Sequence, residues 1–250
     1  MNRQLCKQLA IDYCCTMEQV QDEQNHFKVY LPQEGRRRFQ EEQECFLKIV
    51  SVNDKLLFTG KEEIIKWCEA QFKEDSGAWF MEAGTMAYLN REIGKYGYRI
   101  GQAHPFYIAT QKTKVDTGEY EIVSYRGREI DQFRDDPRFD EAFAFCEDAP
   151  DEIGIAVCRD GQILGMAGAS SDSPYLWQIG INVMPEARGK NIGSMLVALV
   201  KNEVLDMGKL PYYGTAMSHI ASQKVAIKAG FLPAWSELVT SPVKGQQVQE

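Results

Sequence analysis

The stretch Ile181-Asn-Val-Met-Pro-Glu-Ala-Arg188-Gly-Lys-Asn-Ile-Gly193-Ser194 constrains this chain more than any other. It reads as the end of an apolar strand, a turn led by Pro185, and a loop flanked by Gly189 and Gly193 that opens a long amphipathic helix. A loop of this kind leaves backbone N–H groups unpaired at the positive end of a helix dipole, where an anion, phosphate above all, is favoured. Arg188 and Lys190 add positive charge beside it, and Gly189 and Gly193 let the backbone come close to a bulky ligand. An ordinary strand-to-helix turn, with glycines serving only the bend, is the competing reading of the loop taken alone.

Periodicity places elements around that loop. The helix after it sets Ile192, Met195, Leu196, Leu199, Val200 and Val204 on one face, with Gly208 as its C-terminal cap. Upstream, residues 153–158 and 162–169 pair across Asp160-Gly161 as a hairpin, and 175–184 is the strand that feeds the loop. Residues 119–125 alternate as a strand, and 126–146 hold two short helical pieces broken at Asp136-Pro137. Downstream come a strand over 211–216, a helix over 220–228, a strand over 231–239 and a polar tail.

The first half has its own pattern. Residues 3–25 read as helical, and 45–50 and 55–59 flank Asn53-Asp54 as a hairpin. A helix follows over 62–73, and Ala78-Trp-Phe-Met reads as a short buried strand ending near Glu82. Thr85 is placed as the cap of a helix carrying Met86, Leu89 and Ile93, and 98–108 returns as extended chain. The polar run 111–118 is the best linker, which gives an N-terminal α/β domain over 1–112 and a second domain over 119–250. The fold class is α/β with a mixed sheet.

Val183-x-Pro185-x-x-Arg188-Gly189-x-x-x-Gly193 resembles the acyl-CoA-binding signature of the GNAT superfamily of N-acyltransferases. Ser218-His-Ile-Ala-Ser222-Gln-Lys-Val-Ala-Ile-Lys-Ala-Gly230-Phe231 resembles the second signature of that family, one helix and one strand further on. The resemblance covers roughly residues 121–238. It implies a GNAT-like fold in the C-terminal half, preceded by a smaller α/β domain read as a degenerate copy in preference to an unrelated cap. It also implies a closing strand, for which residues 240–250 are short.

For the site, the resemblance implies that backbone groups at Ile181 and Val183 hold the pantetheine arm and polarise the thioester carbonyl. The pyrophosphate would lie on N–H groups of Arg188, Gly189, Lys190, Asn191, Gly193 and Ser194, with Ser222 also near the cofactor. Departures are plain. Asn191 stands where the family has a middle glycine, and His219 where it often has Asn. Ala226 stands at the position of its tyrosine acid, and residues 175–182 contain no Asp or Glu. His219, Ser222 and Tyr213 are the candidate substitutes in catalysis, alongside transfer by positioning alone.

Composition narrows the partners. A net charge of −8 argues against duplex nucleic acid and suits a cationic amine. Arg36-Arg37-Arg38 reads as a solvated turn, with a clamp for a phosphate or carboxylate as the alternative, and Glu82 as a hydrogen-bonded strand-end carboxylate, with recognition of an amine as the alternative. No apolar run is long enough for a bilayer, so no membrane is expected. The first residues lack the pattern of a cleaved leader, and the seven cysteines are scattered without a C-x-x-C pair. The chain therefore reads as cytoplasmic and without a metal. The Gly-x-x-x-x-Gly-Lys-Ser/Thr pattern of triphosphate enzymes is absent.

The leading expectation is an N-acetyltransferase using acetyl-CoA as co-substrate and acting on the primary amine of a small molecule. A non-catalytic acyl-CoA sensor and a tandem-domain transferase acting on a protein or peptide amine are the alternatives, and a homodimer is left open.

Overall fold

The computed structural model describes residues 1–37 and 45–243, so Arg38 of the basic run and the tail from residue 244 lie outside the described residues. The chain divides into two compact units. One takes residues 1–35, 39–106 and 234–250, and the other takes 36–38 and 107–233. Both mix strands and helices, so the fold class is mixed α/β.

The first unit begins with α1 (Arg3–Asp12) and α2 (Met17–Gln21). The helical stretch breaks at Cys14, which takes a φ of 53°, and Thr16 restarts it through a capping box with Gln19. Strands β1 (His26–Val29), β2 (Leu47–Val52) and β3 (Lys55–Gly60) follow, then α3 (Glu62–Phe72), α4 (Ala83–Gly94) and β4 (Tyr98–Ile108). The β2–β3 hairpin turns through Asn53 and Asp54 at φ 48° and 63°, the left-handed pair such a two-residue turn needs.

Two expectations fail here. Residues 78–81 are turn, not strand: Phe80 is buried edge-on to Phe72 at 5.1 Å and Met81 packs partly buried against the same core, while Trp79 is 70% exposed. A four-residue apolar run does not separate the two states. Consequently Glu82 is no strand end but the exposed N-cap of α4, and Thr85 lies inside that helix instead of capping it.

The second unit holds β5 (Glu121–Arg126), β6 (Asp151–Arg159), β7 (Gln162–Ser170), β8 (Leu176–Val183), α5 (Ile192–Asp206), β9 (Leu210–Gly214) and α6 (Ile220–Lys228). β5 to β8 run antiparallel in sequence order, and β9 lies parallel to β8. The β6–β7 turn again uses positive φ, at Asp160 (51°) and Gly161 (74°). Between β5 and β6 the two helical pieces are 3₁₀, Gly127–Phe133 and Pro137–Phe139.

Of the apolar face predicted for α5, Ile192, Leu196, Val200 and Val204 are at 1% exposure or less, while Met195 and Leu199 are half-buried. Emptying one such position, Leu196→Ala, removes contacts worth about 2–5 kcal/mol. The segment 111–118 is no loose tether, because it is strapped to α5. Thr113 N–H donates to Asn202 Oδ1 at 3.0 Å, and Asn202 Nδ2 donates back to Thr113 O at 2.8 Å. Buried Lys201 donates to Thr113 Oγ1 and to Ala229 O, and burial lowers its pKa.

After α6 the chain leaves this unit. Its last strand, β10 (Leu232–Pro242), pairs antiparallel with β2 from Ser236↔Ser51 to Val239↔Lys48. In the first unit's sheet the order is β1-β3-β2-β10-β4, so β10 lies between β2 and β4. Thr240 fixes the register by accepting from Leu47 N–H at 3.2 Å and donating to Leu47 O at 2.9 Å. The strand expected over 231–239 thus continues to Pro242.

Candidate functional site

β8 is paired with β7 over most of its length but with β9 only at its start. Its bonds to β7 run from Ser170↔Gln178 to Gly165↔Val183, whereas its parallel pairing with β9 covers Leu176, Trp177 and Gln178 and then ends. Past Gln178 the two strands part, so the backbone of residues 179–183 is left open on the β9 side among the described residues. A backbone edge of this kind can hold an extended amide-bearing arm by hydrogen bonds.

The loop lies at the end of that open edge. Gly189 (φ 78°) and Asn191 (φ 62°) both take left-handed geometry, so Asn191 adopts the conformation of the glycine it replaces. Met195 N–H reaches Asn191 O at 3.1 Å, so the N–H groups of Ile192, Gly193 and Ser194 precede the first intrahelical bond. Lys228, from the end of α6, donates to Asn191 Oδ1 at 3.1 Å and brings a third cation to Arg188 and Lys190. Arg188 turns back, its Nε 3.4 Å from Val183 O. N–H donors, helix dipole and cations together fit a phosphate-bearing ligand.

A Cβ at Gly193 would meet Val225 at 3.3 Å and Ile181 and Val183 at 3.5 Å, so its missing side chain makes room for the protein's own α5–β8–α6 contact. Gly189 has open space around the corresponding position.

Ile181 and Val183 face α5, so Gly180 and Asn182 face the other side of the sheet. Three glycines stand in register there across three strands, Gly154↔Gly168↔Gly180. On them lies the segment after the second 3₁₀ turn. A Cβ on Gly180 would fall on Glu141 O, one on Gly168 would lie 2.5 Å from Ala142 O, and one on Gly154 2.9 Å from the Phe143 ring. Asn182 pins the segment, its Oδ1 accepting from Glu141 N–H at 3.0 Å and Ala142 N–H at 2.6 Å. Asp151 accepts from the N–H groups of Ala144 and Phe145 and from Ser170 Oγ at 2.7 Å, which holds the far end.

Of the predicted catalytic residues the structure brings two together. Tyr213 Oη and Ser222 Oγ are 2.8 Å apart, the tyrosine 4% exposed on β9 and the serine half-buried on α6. Burial pushes the Tyr213 phenol up, the Ser222 hydrogen bond offsets part of that, and the negative charge of Glu141 adds a further upward push. His219 is separate from this pair. It is the exposed N-cap residue of α6 and makes no side-chain cap bond.

Arg37 is not solvated as its sequence context suggests. It is 2% exposed, with its guanidinium 5.8 Å from the centroid of the Tyr212 ring, whose hydroxyl donates to buried Asp172. Sequence reasoning also missed Glu141, although glycines inside strands are a signal of close backbone approach. Among the described residues no three His, Cys, Asp or Glu side chains gather as a metal ligand set. Nor is any helix long and apolar enough to cross a membrane.

No curated protein matches the chain. Solved structures similar to it include a GNAT-family protein of Novosphingobium aromaticivorans DSM 12444, with 20% identity, TM-score 0.42, and coverage of 58% of this chain and 66% of the other. A GCN5-related N-acetyltransferase-like protein of Streptococcus suis 89/1591 shows 14% identity, TM-score 0.45, and coverage of 81% and 87%. A tandem GNAT protein from the clavulanic acid biosynthesis pathway shows 16%, 0.46, and 66% and 61%. Likeness at this level says nothing of substrate or role. Residues 119–231, which contain the parted strand, the loop and both helices of the site, match the model of the acetyltransferase (GNAT) family. The match assigns residues 119–231, rather than the whole chain, to the GNAT family of acetyltransferases.

Proposed function

We propose that the protein is an N-acetyltransferase that moves the acetyl group of acetyl-CoA to the primary amine of a small molecule. The observation that carries this reading is the parting of β8 from β9 after Gln178, with the N-terminus of α5 at the end of the opening. The N–H groups around Arg188, Gly189, Lys190, Asn191, Gly193 and Ser194 would hold the pyrophosphate. The open edge at Ile181 and Val183 would hold the pantetheine arm and donate to the carbonyl oxygen as it gains charge. The thioester supplies an activated acetyl group. The amine nitrogen forms the new bond to the carbonyl carbon, the carbon–sulfur bond breaks, and the nitrogen gives up a proton.

Tyr213, kept protonated by burial and bonded to Ser222, would return a proton to the leaving sulfur. His219, exposed and apart from that pair, is the weaker candidate. Incubating the protein with acetyl-CoA and a panel of primary amines, and following free thiol, tests the reading. Release that depends on protein and amine supports it.

An acyl-CoA sensor is the second reading, favoured by Ala226 at the position of the family's tyrosine acid. Tight CoA binding without thiol release from any amine would replace the first reading with this one.

A further inference from the structure

We infer that Glu141 is the residue that faces the acceptor amine, and that it selects acceptors carrying positive charge. The inference rests on the acyl-transfer reading above and names the substrate class of that site. Glu141 lies over the strand where the transfer would occur, on the face opposite α5. Its carbonyl sits on Gly180, its N–H is held by Asn182 Oδ1 at 3.0 Å, and its side chain is exposed. The backbone is pinned and the carboxylate is left to reach outward.

Its neighbours are all engaged. Asp140 accepts from Asn182 Nδ2 at 3.1 Å, Asp151 is held by two backbone N–H groups and Ser170, and Asp172 by Tyr212 and the Gln178 N–H. Among the described residues Glu141 alone of these carboxylates has no hydrogen bond or ion pair through its side chain. It is nevertheless close enough to raise the Tyr213 phenol's pKa, which ties it to the Tyr213–Ser222 pair. An unengaged carboxylate beside the open edge attracts an ammonium and repels a second carboxylate. It can also take the proton that the attacking nitrogen sheds. The carboxylate that β8 lacks is thus brought in by the 3₁₀-turn segment, and the glycine row is what lets that segment lie close enough.

The test compares 1,3-diaminopropane with β-alanine as acceptors, since one bears a second ammonium and the other a carboxylate. Wild-type protein should favour the diamine in kcat/KM by at least roughly tenfold, and Glu141→Gln should shrink that preference to within about threefold. Glu141→Lys should reverse it. CoA affinity, read by calorimetry, should change by less than about threefold in both variants, which shows that they fold.

A preference unchanged in Glu141→Gln overturns the inference while leaving acetyl transfer intact. If wild type releases thiol with no amine at all, the acetyl-transfer reading fails separately. Glu141 is then decided by titrating 1,3-diaminopropane into the CoA-loaded protein. Binding that weakens at least roughly tenfold in Glu141→Gln upholds it, and equal binding, or none to wild type, overturns it.

Discussion

Lys228 donates to the side-chain oxygen of Asn191 across 3.1 Å, which ties the end of α6 to the residue that caps α5. The pair keeps Asn191 in left-handed geometry without a glycine. Asn191→Val should cost about 1–2 kcal/mol, the strain of that geometry for a β-branched residue. Asn191→Gly removes the strain along with the tether and should stay within about 0.5 kcal/mol of wild type. Urea unfolding of the two variants checks this, and equal stability would show that the loop relaxes.

Gly193→Val places its methyl groups against Val225, Ile181 and Val183. The expected result is an overpacked core costing about 1–3 kcal/mol. Any loss of CoA affinity should come with that loss of stability, not in its absence. Paired unfolding and calorimetry decide, and a fully stable variant with weakened CoA binding would return Gly193 to the ligand's side.

Tyr213→Phe keeps the ring in the core and removes the hydroxyl bonded to Ser222. Turnover should fall by about two orders of magnitude or more with CoA affinity retained, the effect of losing a general acid. Because its pKa is raised, the phenol keeps its proton beyond the ordinary value of 10.0, so no loss of rate should be traceable to it between neutral pH and that value. His219→Gln should leave turnover within about threefold. A reversed order of the two effects would make His219 the catalytic group.

Asp22 in the first unit gives a pH dependence of stability. Partial burial works to raise its pKa, but hydrogen bonds from Lys55, the Gln24 N–H and His26 outweigh it and hold the carboxyl at about 2, below 3.8. A depressed carboxylate stabilises the fold above its unfolded value and loses that contribution as pH falls through the folded one. The contribution should be complete above about pH 4 and fade toward pH 2. Asp22→Asn should flatten unfolding curves across that interval, and an unchanged slope would place the effect elsewhere.

Much of the second unit is legible in the sequence because its signals are local. Asp160-Gly161 specifies the hairpin, the apolar spacing from Ile192 specifies α5, and residues 220–228 coincide with α6. What is illegible depends on distant partners. Nothing near Glu141 says that its carbonyl rests on Gly180, far along the chain, or that Asn182 holds it. The run at 78–81 is apolar for the sake of Phe80 and, in part, Met81, and periodicity cannot tell two neighbouring core contacts from a strand. Left-handed Asn191 was readable, since Asn tolerates that region, but its tether to Lys228 was not.

The position of β10 bears on how the chain is made. The first unit's sheet has β10 between β2 and β4, yet β10 follows every other strand and every helix of the second unit in the chain. During synthesis the N-terminal residues emerge first but lack an interior strand until Pro242 itself has left the ribosome. Every strand and helix of the second unit has emerged by then. The usual order, in which the earlier unit is finished first, is inverted. Nascent chains arrested before β10 emerges should therefore be cut by protease in the first unit and resist it in the second.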